Sequence, residues 1–280
     1  MNEHMNAPAE VIEVNINAGV TKANLPLGKM ILLGIMAGAF IAIGGSSSNV
    51  AVHSIADVGL ARTLAGCIFP VGLMMIVLIG GELFTGNCLM IMGVLDKKFK
   101  ASKMVRNLVV VYLSNLVGAL IVDAFVYFSG QLDYTGGALG AYTIKVALAK
   151  STMFFDKAFV SGIMCNILVC AAILTAAAAK DIAGKLLAIF FPIWAFVVAG
   201  YEHCAANMYY IPAGMFAASN PDYVAKAQEL YGITAEQCAS LSVGGLVHNL
   251  IPVTLGNIVG GSVCLGCMCF LIYRKKWSSQ

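Results

Sequence analysis

The chain has 280 residues, 60% of them hydrophobic and only 11% charged, with a formal net charge of +3 and a mean hydropathy of +0.86. A water-soluble domain of this length carries about 25% charged residues, so the composition excludes one. The small net charge and the lack of basic runs interleaved with aromatics give no reason to expect nucleic acid as a partner. What remains is an all-α polytopic membrane protein, since helices let long apolar runs satisfy their own backbone groups in lipid.

In chain order, the N-terminal stretch MNEHMNAPAEVIEVNINAGV is polar and lacks a basic segment followed by an apolar core. No cleaved signal peptide is expected there. Residues 1–28 read as a cytoplasmic segment, and PAEVIEVNINAGVTKANLPLG suits an amphipathic helix. A single transmembrane domain over 29–277 follows, because six apolar runs approach the roughly 20 residues that cross a bilayer. They lie at about Lys29–Val52, Leu60–Leu95, Val105–Ser129, Ala158–Ala179, Leu186–Ala218 and Leu246–Tyr273, with the second and fifth interrupted part-way.

Six spans put both termini on one side. Lys22, Lys29, Lys97, Lys98, Lys100, Lys103, Arg106, Lys180, Lys185, Arg274, Lys275 and Lys276 share that face, which is twelve of the 17 basic residues. The positive-inside rule then makes both termini cytoplasmic. Cys264 and Cys267 form one C-x-x-C without a second pair, so the nine cysteines read as small packing residues and no metal or cofactor is expected.

The interruptions match one another. Gly80, Glu82 and Asn87 in GGELFTGN recur as Gly200, Glu202 and Asn207 in GYEHCAAN, each displaced by 120 positions. GIM at Gly34–Met36 returns at Gly162–Met164, and NLVG at Asn115–Gly118 is echoed by NIVG at Asn257–Gly260. Spans one to three (about 29–130) and four to six (about 157–273) are thus two copies of one unit. An odd number of spans per copy makes this a 3+3 inverted repeat, the arrangement in which broken helices meet near the midplane around a transport site.

Non-helical backbone at that depth must line a cavity or be buried in protein. Glu82 and Glu202 read first as loop-fixing acids that accept hydrogen bonds from loop amides or a helix N-terminus. Asn87 and Asn207, which donate and accept, suit the bridging of freed carbonyl and amide groups. His203 stands in a break beside an acid, and its place in the first copy is held by Leu83. Ionisable groups inside a membrane mark function, and imidazole exchanges protons near neutral pH. His4, His53 and His248 lie in the tail or near span ends and receive no role.

GGELFTGN, GYEHCAANMYYIPAGM and NLIPVTLGNIVGG together resemble the formate/nitrite transporter family, from about Ala18 to Trp277. The resemblance implies an aquaporin-like fold, a homopentamer with one pore per protomer, and passage of a small monovalent anion (formate, nitrite or hydrosulfide) together with protons. It implies a bacterial-type inner membrane, and formate as the first choice of substrate. Carried over by position, His203, Thr85, Asn166 and Lys150 belong to the substrate pathway, with Lys157 the alternative to Lys150. Phe69, Leu73, Phe84 and Phe196 would constrict the pore, although spacing alone makes them core residues, and Thr85 alone reads equally well as bonded to its helix.

A desolvated anion between such apolar rings is costly. Either Thr85, His203 and backbone amides replace its water, or it crosses as the neutral acid with His203 as proton donor; the apolar rings favour the second. Lys150 would raise the anion concentration at the outer mouth. An intramembrane enzyme built on Glu202, His203 and Cys204 lacks H-E-x-x-H and G-x-S-x-G support. A neutral-solute channel would reveal itself by permeability without anion flux. The missing Asn-Pro-Ala signature argues against an aquaporin proper.

Overall fold

A computed structural model describes residues 5–274. His4, Lys275, Lys276 and Trp277, all named above, lie outside the described residues. Helix α1 (Pro8–Ala23) precedes the first span and opens with proline at its N-terminus, where the missing N–H costs nothing. It buries Val11, Ile12, Asn15, Ile16, Gly19 and Ala23, the stripe expected when one face of a 3.6-residue helix meets a protein surface. Asn6 donates from its backbone and side chain to the carbonyls of Ala178 and Ala177, tying the start of α1 to the end of the fourth span.

Helices α2 (Leu27–Val52), α3 (Val58–Ile68) and α4 (Val71–Ile79) supply the first span and the first part of the second. Phe69 and Pro70 stand between α3 and α4 with helical dihedrals, so the two helices run on as one span. Residues Gly80 to Leu83 are not helical, and the apolar helix α5 (Phe84–Leu95) continues beyond them. The third span is α6 (Ala101–Phe128). A short helix, α7 (Ala138–Ser151), leads into the fourth span, α8 (Phe155–Ala178). The fifth begins as α9 (Ile182–Ala199), is non-helical from Gly200 to His203, and resumes as α10 (Cys204–Ala218). Helices α11 (Pro221–Tyr231) and α12 (Ala235–Ala239) precede the last span, α13 (Val243–Tyr273).

Small residues let the outer helices of each half cross closely. Gly118 of α6 lies against the Ile35 carbonyl of α2, and Gly260 of α13 lies against the Ile163 carbonyl of α8, so a methyl group at either glycine would collide with backbone. These two contacts keep the displacements of the sequence repeat. The chain folds as two like halves around a buried centre, while Leu32, Val105, Phe125, Phe128, Val160 and Leu187 face outward. An apolar exterior of this kind belongs in lipid or against another subunit.

Candidate functional site

Each non-helical stretch is held by the same set of side chains. In the first half, Lys22 Nζ donates to Glu82 Oε1 at 2.6 Å, and Asn87 Nδ2 donates to Glu82 Oε2 at 2.7 Å and to Asn107 Oδ1 at 2.7 Å. In the second, Lys150 Nζ donates to Glu202 Oε1 at 2.7 Å, and Asn207 Nδ2 donates to Glu202 Oε2 at 2.6 Å and to Asn249 Oδ1 at 2.7 Å. Asn107 and Asn249 close the rings by donating to the carbonyls of Lys22 (3.4 Å) and Lys150 (2.9 Å).

The freed backbone groups are claimed by another pair of asparagines. Asn115 Oδ1 accepts from Phe84 N at 3.0 Å while its Nδ2 donates to the carbonyls of Gly34 and Glu82. Asn257 Oδ1 accepts from Cys204 N at 2.9 Å while its Nδ2 donates to the carbonyls of Gly162 and Glu202. All four asparagines of these two rows, like Asn207, are fully buried, where an unpaired amide or carbonyl would cost about 1–3 kcal/mol.

This geometry corrects two sequence expectations. The glutamate carboxylates take their hydrogen bonds from lysine and asparagine side chains rather than from loop amides, because the amides of Glu82, Phe84, Glu202 and Cys204 donate instead to the Leu33 carbonyl, Asn115, Ser161 and Asn257. Asn87 and Asn207 orient the acids and do not bridge the backbone; Asn115 and Asn257 do that. Lys150, not Lys157, reaches a broken helix: Lys157 Nζ lies over the Phe154 ring at 5.4 Å.

Lys22, Asn107 and Asn249 were not singled out from the sequence, yet the signal was present. Lys22 precedes Lys150 by the same 128 positions that separate the two GIM triplets, and Asn107 precedes Asn249 by the 142 that separate NLVG from NIVG. The correspondence therefore extends outward to α1 and α7, each of which delivers a lysine from its last turn.

Between the two clusters lies His203, which is 2% exposed. Its Nδ1 accepts from Ala206 N at 3.2 Å and so caps α10, and its Nε2 lies 2.8 Å from Thr85 Oγ1. With Nδ1 an acceptor, the neutral ring carries its proton on Nε2 and donates to threonine. Thr85 is itself fixed from behind, since its carbonyl accepts from Asn166 Nδ2 at 3.2 Å and from Cys170 Sγ at 3.4 Å. Asn166 also donates to the Asn257 carbonyl at 2.7 Å, which joins the two halves at one amide.

Phe69 and Phe196 meet edge to face with centroids 5.5 Å apart, and the Phe196 ring is 5.9 Å from that of His203. On one side of this pair opens a vestibule of about 870 Å³ whose lining includes Asn49, Arg62, Lys150, Glu202, His203 and Tyr210. On the other is a chamber of about 10 Å³ lined by Ile41, Phe69, Leu73, Leu83, Val169, Ile193, Phe196 and His203. That is about the space of one water molecule, and although His203 is among its lining residues, the surface it presents is entirely apolar. Phe84 is not in the lining of either; its ring packs on Tyr112 at 4.9 Å, and its neighbour Leu83 faces the chamber instead.

The formate/nitrite transporter model matches residues 9–271. The chain belongs to that family. It is 37% identical, over 99% of its length and 100% of the relative's, to a protein of Methanothermobacter thermautotrophicus described as a "probable formate transporter". It is 36% identical to the formate channel FocA of Haemophilus influenzae, over 92% of each chain. Among solved structures, a pentameric formate channel with formate bound matches at a TM-score of 0.77 and 35% identity, covering 89% of this chain and 98% of that one. The family consists of membrane transporters and channels, not enzymes, so the paired breaks described above belong to a multi-pass transport protein for small anions.

Proposed function

We propose that the chain carries formate across a bacterial-type inner membrane, one pathway per protomer of a homopentamer, and that the ion crosses the Phe69–Phe196 constriction as formic acid. The observation that carries this reading is the water-sized chamber behind the Phe69–Phe196 pair, lined by His203 and apolar side chains and presenting only apolar surface. A carboxylate there would meet only apolar walls and no water, at a cost of several kcal/mol, whereas the neutral acid suits them. The relatives and the solved neighbour named above are formate proteins, which supports formate ahead of nitrite or hydrosulfide. The excess of basic residues on the terminal face supports cytoplasmic termini.

The proton exchange runs through His203 and Thr85. In the neutral ring Nδ1 holds the Ala206 amide. A protonated ring has hydrogen on both nitrogens, so Ala206 N–H loses its acceptor and the first turn of α10 is uncapped. Loading and unloading the proton is thereby tied to opening and closing that cap. From the charged ring the proton leaves Nε2 for Thr85 Oγ1 as the threonine hydroxyl hydrogen passes to the formate oxygen, which leaves formic acid and a neutral ring protonated on Nδ1; return of the ring to its Nε2–H tautomer restores the cap on Ala206 N.

Lys150 with Glu202 and Lys22 with Glu82 fix the two loops and stand in the same relation to the two ends of the pathway. A flux panel in proteoliposomes with formate, nitrite and hydrosulfide at two pH values tests the reading. Formate flux that rises as pH falls is expected; flux of water, glycerol or ammonia without any anion flux would replace it with a neutral-solute channel.

A further inference from the structure

The end of the molecule that carries the termini holds a patch of charge the chain does not neutralise. Lys97, Lys98, Lys100, Lys103 and Arg106 stand within ten residues, five of the twelve basic residues of that face, and all five are exposed. Asp96 is the one acid in this stretch. Arg274 holds both of its carboxylate oxygens at 3.1 Å, and Lys98 reaches it only at 3.9 Å. Neither α2 nor α6 places an acid in its first turn. Among the described residues, Lys97, Lys100, Lys103 and Arg106 make no ion pair.

The patch is nevertheless held in place. Phe99 is buried, and its ring lies against Gly93 of α5 and Gly19 of α1. Lys103 Nζ donates to Asn24 Oδ1 at 2.6 Å and Arg106 Nη2 to the Leu25 carbonyl at 3.4 Å, so both cations hang from the turn between α1 and α2. Lys97 has φ 57, a left-handed position after a helix that glycine or asparagine usually fills. A cation is kept there against the preference of its backbone. An apolar feature continues from the charged one. Val109, Leu113, Val117 and Leu120 follow Arg106 at helical spacing along one face of α6, and each is exposed. From Arg106 to Leu120 the helix rises about 20 Å, more than the roughly 15 Å depth of one hydrocarbon leaflet.

We propose that this face holds an anionic phospholipid of the leaflet on the terminal side, with its phosphate at Lys103 and Arg106 and its acyl chains along Val109, Leu113, Val117 and Leu120. Lys103 and Arg106 are one turn apart on α6, so one phosphate can meet both. Charge complementarity selects the occupant. A phosphodiester supplies the anion that the patch lacks, a guanidinium binds phosphate oxygens in pairs, and basic segments at the end of a span attract anionic lipid. A zwitterionic lipid would bring its own ammonium group into the cluster, and a soluble phosphate would leave the stripe bare. The site lies outside the transport pathway and does not depend on which anion is carried.

The test counts lipids. Full-length protein in detergent is given equimolar phosphatidylglycerol and phosphatidylcholine of the same chain length, and the lipids retained are read by native mass spectrometry. The wild type should keep phosphatidylglycerol about tenfold over phosphatidylcholine. Lys103→Gln with Arg106→Gln should bring that preference to within about twofold of parity. Lys145→Gln with Lys226→Gln removes the same charge from the vestibule end and should leave the preference as it was. Excess glycerol 3-phosphate should not displace the lipid; displacement would assign the patch to free phosphate and overturn the lipid site. Gel filtration verifies assembly, and if the double variant fails, Lys103→Gln and Arg106→Gln are read singly, each with a loss of about threefold. Equal retention of the two lipids by the wild type, an undiminished preference in the Lys103 and Arg106 variants, or an equal loss in the vestibule variant would overturn the site. Single variants that both fail to assemble would assign the face to a neighbouring subunit and overturn it as well.

Discussion

The break that ends at Leu83 and the break that ends at His203 share a scaffold and differ in chemistry. Both have a lysine on a glutamate, an asparagine on the same glutamate, and an asparagine that spans the freed carbonyls and amide. They part at the three positions after the acid, where Leu83, Phe84 and Thr85 face His203, Cys204 and Ala205. Each half thus gives one polar side chain to the central hydrogen bond, Thr85 from the first and His203 from the second, and each leaves an apolar residue at the partner's equivalent place. The duplicated residues build the interruption, and the unduplicated ones meet at its centre.

If the scaffold is truly shared, damage to either half should be alike. Asn115→Leu and Asn257→Leu each remove three buried hydrogen bonds and should each lower stability by about 3 kcal/mol or more, read as a fall in the unfolding temperature of the purified protein. An effect confined to one half would break the equivalence. Glu82→Gln and Glu202→Gln strand a mostly buried lysine and should cost about 2 kcal/mol each, below the 3–5 for a fully buried pair because the lysine side chains are 27% and 16% exposed. Replacing the lysine as well, as in Lys22→Met with Glu82→Met, should recover much of that loss.

How far the sequence reveals this arrangement depends on the kind of signal. The six spans and both interruptions are legible because apolar length and the fixed displacement of Gly, Glu and Asn need only local reading. The partners of the acids are not local: Lys22 meets Glu82 across 60 residues and Lys150 meets Glu202 across 52. Their displacements also differ, from 128 before the breaks to 120 within them and 142 after. Helices α11 and α12 lengthen the second half between its break and its last span, which hides the match of Asn107 to Asn249 from any single-offset comparison.

At the centre the two halves should respond unequally. Thr85→Val removes the partner of His203 Nε2 and should reduce formate flux about tenfold, with about 1 kcal/mol lost from stability. Its counterpart Ala205, changed to Ser, touches no such bond and should leave the pH profile of flux as it was. The smallest expected effect lies at the periphery. Arg274→Gln frees α1 from an exposed cluster with Glu13 and Asp96 and should cost no more than about 1 kcal/mol.

The claim that chemistry resides in the residue the repeat does not copy is tested most directly by the pH dependence of formate flux in proteoliposomes, wild type against His203→Asn. Asparagine can still cap α10, but it exchanges no proton. The wild-type flux should climb as pH falls, and the variant should show a reduced and flattened profile. A variant whose flux follows pH as steeply as the wild type would contradict the account.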